Sequence, residues 1–179
     1  MAKTAYPLDK VYGLLEPGPV LLLTTADATG RPDVMTLSWH TMLEFEPTLV
    51  GCVVSARNRS HALLRESRQG VINIPTADLA DKVVACGNSS GRTTDKFTAF
   101  GLTARAATQV APPLVDDCFA SLECRVADLQ MVERYELFVL EVVAAWVDAD
   151  VANPRTLHHR GYGRFMVAGE TIELPSAMR

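Results

Sequence analysis

The segment Ser55-Ala56-Arg57-Asn58-Arg59-Ser60-His61 gathers two guanidinium groups, two hydroxyls, an amide and an imidazole directly ahead of the apolar run Ala62-Leu63-Leu64. From His61 to Arg68 apolar residues share one face and charges the other, which predicts a short amphipathic helix. A helix start presents unpaired backbone N–H groups and the positive end of the helix dipole. With Arg57, Asn58, Arg59, Ser60 and His61 added, the chemistry is that of an anion site, and it suits a phosphate. A plainer outcome uses the same residues: Asn58 or Ser60 caps the helix and the arginines are solvated. The segment alone leaves both open.

Two further stretches carry polar groups in useful patterns. In Met35-Thr36-Leu37-Ser38-Trp39-His40-Thr41-Met42 the polar Thr36, Ser38 and His40 alternate with Met35, Leu37 and Trp39. Such a strand can turn a polar face to a ligand, and Trp39 could bound an aromatic ring, although ordinary strand alternation gives the same pattern. Residues 87–97 combine Gly, Ser89 and Ser90 with Arg92, Asp95, Lys96 and Phe97, as a loop that covers a ligand or crosses to another subunit would. The alternative is a solvated loop with an exposed Asp95–Lys96 pair.

Other chemistries lack their residues. There is no GxSxG, HExxH, GxxxxGK[ST] or strand-borne GxGxxG pattern. The adjacent His158 and His159 would point to opposite faces of a strand, and Cys52, Cys86, Cys118 and Cys124 form no CxxC pair. Reduced, structural thiols are expected. The net charge of −4 with scattered basic residues argues against nucleic acid. The apolar runs are too short to span a bilayer and the first residues lack a signal-peptide core, so a cytoplasmic protein is expected.

The elements that must position these residues are mostly strands. Residues 19–27 and 34–42 read as a hairpin with a loop longer than two residues, and 48–55 as a third strand completing a meander. After the first helix, 70–75 reads as a strand. Residues 76–87 read as a second helix with Thr76 as N-cap, Leu79, Val83 and Val84 on its apolar face and Gly87 as C-cap. From Asp117 the pattern returns to strands, with turns at Gly-Tyr-Gly and Ala-Gly-Glu in the tail. With 179 residues and no linker or repeat, a single domain is expected, mainly β with a few inserted helices and closed as a small barrel.

The order GPVLLLTT, RPDVMTLSWHTM, SARNRSHALLRES, GVINIP, GNSSGRTTDKF resembles the flavin reductase-like, FMN-binding split-barrel family over about residues 14–165. The resemblance implies a six-stranded antiparallel split β-barrel of Greek-key type, a homodimer, and FMN, with FAD as the alternative, in a groove near the dimer interface. It implies that Arg57, Asn58, Arg59, Ser60 and His61 hold the flavin phosphate and that Met35, Thr36, Leu37, Ser38 and Trp39 line its ring system. Ser55 and Ala56 would lie beside the ribityl chain. The loop bearing Ser89, Ser90, Lys96 and Phe97 would approach the flavin or the nicotinamide. Arg31, Pro32 and Asp33 depart from the family pattern, and His40, His158 and Tyr162 are left without assigned roles. The implied activity is hydride transfer from NAD(P)H to flavin, with reduced flavin serving a monooxygenase or other acceptor. The rivals are a flavin-binding electron carrier without nicotinamide turnover and a split barrel that binds haem or another planar ligand.

Overall fold

The computed structural model describes residues 18–175. Its centre is a seven-stranded antiparallel sheet built from β1 (Leu21–Ala26), β2 (Pro32–Leu37), β3 (His40–Glu44), β4 (Leu49–Val53), β5 (Gln69–Ile74), β8 (Ala120–Asp128) and β9 (Leu137–Val147). The short pairs β6 (Ala104–Arg105) with β7 (Leu114–Val115), and β10 (Leu157–His159) with β11 (Phe165–Val167), stand apart from it. The helices are α1 (Arg59–Ser67), α2 (Ala80–Asn88, preceded by a 3-10 turn at Ala77–Leu79), α3 (Lys96–Phe100) and α4 (Val132–Tyr135). None of the described helices is long and apolar enough to cross a membrane.

The strand order β2-β1-β5-β8-β9-β4-β3 puts β2 and β3 at opposite edges, yet only Ser38 and Trp39 separate them in the chain. Two residues reach only about 7 Å. The sheet must therefore curl until its edges meet, which is the geometry of a split barrel. A side chain ties the seam, since a His40 ring nitrogen lies 2.7 Å from the Pro19 carbonyl, and the Val53 N–H extends the β3–β4 ladder by donating to the Trp39 carbonyl at 3.0 Å.

This closure corrects two expectations. Residues 34–42 are two strands, not one, which turns an expected six strands into seven. There is no three-strand meander, because β4 pairs with β3 and β9 and not with the first hairpin. The polar–apolar alternation runs unbroken through Ser38 and Trp39, so it does not reveal that the strand changes partners there. The β1–β2 hairpin does carry the longer loop, from Asp27 to Arg31, with Gly30 at φ 84°.

β1 is buried along its whole length because it serves two cores. Leu21 and Leu23 enter one with Met35, Leu37, Cys52, Leu64, Ile72, Cys124 and Phe138. Val20 and Leu22 enter the other with Val34, Val83, Cys86, Phe97, Leu102 and Leu157. The four cysteines are unpaired, as expected of structural thiols, and burial pushes the Cys52 and Cys124 thiols up to about 12. A thiol so shifted is inert at neutral pH.

The second helix differs from its expected form. Thr76 sits at the N-cap of the 3-10 turn without a side-chain capping bond, and Ser89, not Gly87, is the C-cap. Gly87 lies inside the helix, where a Cβ would come 3.3 Å from Thr36 Oγ1. That close approach lets Thr36 Oγ1 donate to the Val83 carbonyl at 2.6 Å. Val83 is buried, whereas Val84 is exposed.

Candidate functional site

α1 begins where a turn, closed by the Asn58 N–H on the Ser55 carbonyl at 2.9 Å, delivers an extended Asn58 to the N-cap. The Asn58 side chain makes no capping bond, and the first turn contains no acidic residue. Ser60 does not cap the helix either, because its hydroxyl donates to Asp33 Oδ2 at 3.1 Å.

The loop after α2 is clamped against this helix mouth by two arginines. Arg59 donates through Nη1 to the Gly91 carbonyl at 2.6 Å and through Nη2 to Asp27 Oδ2 at 3.0 Å. Arg92 donates through Nη1 to the Arg57 carbonyl at 2.9 Å. A Thr29 hydroxyl bond, aided by backbone N–H groups and Arg59, holds the Asp27 carboxyl below its usual range.

Beneath the clamp lies Asp33, only 4% exposed. Lys96, 5% exposed, places Nζ 3.9 Å from Asp33 Oδ1 and donates to the carbonyls of Val34 at 2.7 Å and Cys86 at 3.1 Å. Burial pulls the Lys96 ammonium below its ordinary pKa, against the opposing pull of Asp33. The 87–97 stretch is therefore not a solvated loop with an Asp95–Lys96 pair. Asp95 instead caps α3, accepting from the Thr98 N–H at 3.3 Å and its hydroxyl at 2.8 Å, which lowers its pKa.

Two adjoining clefts open over these groups. One, of about 210 Å³, is polar and cationic, with Arg57, Arg59, Ser60, Ser89, Ser90 and Lys96 on its walls. The other, of about 260 Å³, is bounded by Thr36, Leu37, Ser38, Trp39, Ser55 and Glu136. Met35 and Asn58 belong to both, so the clefts adjoin along these two residues. The arrangement suits an elongated ligand with an anion at the helix mouth and a flat ring beside Met35 and Trp39.

Of the residues singled out in the sequence, Ala56, His61 and Phe97 line neither cleft. The Ala56 N–H donates to Glu136 Oε1 at 2.6 Å, His61 sets its ring edge-on to Phe138 at 5.2 Å, and Phe97 is buried in the second core. His158 bonds to Thr156 Oγ1 at 3.0 Å in β10, and Tyr162 projects from the β10–β11 turn with φ 52°. Asp33, which the sequence marks only as a departure from the family pattern, lines the cationic cleft with Gly91, and Glu136 lines the other. Glu136 adopts φ 56° at the end of α4, and no motif marks it. Among the described residues no group of His, Cys, Asp and Glu could hold a metal ion.

The flavin reductase like domain matches residues 14–166, and the chain belongs to that family. It is 32% identical over 172 residues to the uncharacterized protein YddH of Escherichia coli strain K12, covering 89% of this chain and 91% of that one. The fold is similar to an FMN-binding domain of a flavin reductases-like enzyme from Shewanella baltica OS155, with TM-score 0.82 and 27% identity over 96% and 97% of the two chains. It also matches flavoredoxin of Desulfovibrio vulgaris (Miyazaki F), with TM-score 0.86 and 20% identity over 99% and 98%.

Proposed function

We propose that the chain binds FMN across the two adjoining clefts and acts as an NAD(P)H-dependent flavin reductase in the cytoplasm. The observation that carries this reading is the adjacency of a cationic helix mouth and an open cleft beside Met35 and Trp39, which share Met35 and Asn58 as wall residues. Bound FMN would supply the redox chemistry, taking a hydride equivalent from a nicotinamide nucleotide and passing electrons to a monooxygenase or another acceptor. FAD is the alternative flavin.

The chain's own part is binding and orientation. The first-turn N–H groups of α1, with Ser89 and Ser90 on the wall of the same cleft, would hold the phosphate end. Arg59, which lines the cleft and is fixed by Asp27 and Gly91, would meet the phosphate without losing further side-chain freedom. Met35 and Trp39 bound the ring, and Ser38 and Ser55 supply polar groups along its edge. Ala56, His61 and Phe97 act on the site from behind by holding the segments that line it.

A homodimer is part of the proposal. Beside the ring cleft, Trp39 is 55% exposed, the adjoining edge strand exposes Met42 and Leu43, and the turn that follows it exposes Phe45 at 83%. A second copy lying over this edge would bury the apolar patch and shield the ring from water. The direct test of the site is FMN titration of the purified chain and of Arg59→Ala. The wild type should bind FMN, and the variant should bind at least about tenfold more weakly, as expected for loss of a charge-assisted contact. Equal affinities would remove the phosphate from the mouth of α1.

A further inference from the structure

Asp33 is the point at which four segments of the cleft meet. It lies on β2, accepts from Ser60 at the start of α1, faces Lys96 at the start of α3, and touches Gly91 so closely that a Cβ there would sit 1.9 Å from Oδ1. Asp33 and Lys96 both line the cationic cleft, so a bound anion would lie beside a buried carboxylate as well as beside cations. An isolated carboxylate at that depth would repel a phosphate strongly, because few water molecules screen it. Lys96 stands against it at 3.9 Å.

We infer that the buried Asp33–Lys96 pair sets the charge of the anion subsite and thereby decides how strongly the protein prefers a phosphorylated flavin over an unphosphorylated one. This rests on the FMN reading above. Asp33 and Lys96 are positioning and specificity residues of opposite sign. Removing either one breaks the same ion pair, yet the two losses leave opposite charges under the phosphate. A pair that serves only as a brace has no such signature, since both losses would weaken FMN and riboflavin alike.

The test compares the affinities of the full chain for FMN and for riboflavin, followed by flavin fluorescence, in the wild type, Asp33→Asn, Lys96→Gln and the double variant. Asp33→Asn keeps an acceptor for Ser60 and fits the space beside Gly91. It should raise the FMN-to-riboflavin affinity ratio about tenfold, and Lys96→Gln should lower it by about the same factor. The double variant should return near the wild-type ratio. Ratios that stay unchanged, or that move in the same direction in both single variants, overturn the inference while leaving the FMN reading intact. If Lys96→Gln fails to fold, as shown by its melting curve, Asp33→Asn decides alone, and a ratio that does not rise overturns the inference. A wild-type chain that binds neither flavin removes the FMN reading and this inference with it.

Discussion

A methyl group on Gly91 has nowhere to go but into the Asp33 carboxylate, and both residues belong to the wall of the cationic cleft. Gly91→Ala should lower stability by about 1–3 kcal/mol, the usual cost of forcing extra volume into a packed site, and should weaken FMN binding at the same time. Thermal melting and a flavin titration of that variant check both effects. At this scale the sequence shows unevenly. Arg57, Asn58, Arg59 and Ser60 could be found because they crowd one helix start. Asp33, Gly91 and Glu136 could not, because their importance comes from contacts with residues distant in the chain. Asp33 follows a proline at a turn and Gly91 sits in a polar stretch, where local chemistry already accounts for both types. His61 has the right chemistry for a ligand, but the structure turns its ring onto Phe138.

The elements are held by a few buried or capping carboxylates. Glu123 on β8 is buried and accepts from the Thr108 N–H at 2.9 Å, the Gln109 N–H at 2.6 Å and Trp146 Nε1 at 2.8 Å, joining the loop before β7 to β8 and β9. Burial raises its pKa, but these hydrogen bonds together outweigh that and leave it below the usual value. Asp27 and Asp95 are lowered as well. Such groups stabilise the fold fully above their unfolded-chain pKa of about 4, and that stabilisation is lost as the pH falls through the lower folded-state values. The melting temperature should therefore fall steeply with acid below about pH 4, and Glu123→Gln should melt lower at neutral pH and show a shallower acid slope. Calorimetry across that range tests it, and parallel slopes for the two proteins would contradict the assignment. Most of these elements were legible, since α1, β5 and the β1–β2 hairpin follow their periodicity and turn residues. The split at Ser38 and Trp39 was not, because alternation reports which way a side chain faces and not which strand lies beside it.

For the whole molecule, the curled sheet brings the two ends of the 34–42 stretch to opposite edges and sets the ring cleft beside the seam between them. The apolar edge at Trp39, Met42, Leu43 and Phe45 is where a second copy is proposed to lie. Sedimentation should give a dimer, and Phe45→Asp should shift it towards monomer and loosen FMN. A wild-type monomer at working concentration would contradict the dimer. Nicotinamide-dependent flavin reduction is read directly from an anaerobic visible spectrum of the FMN-loaded protein before and after adding NADH and then NADPH. The flavin bands should bleach with at least one of the two nucleotides. Bands that persist with both and bleach only with dithionite would contradict the reductase and leave a flavin-binding electron carrier.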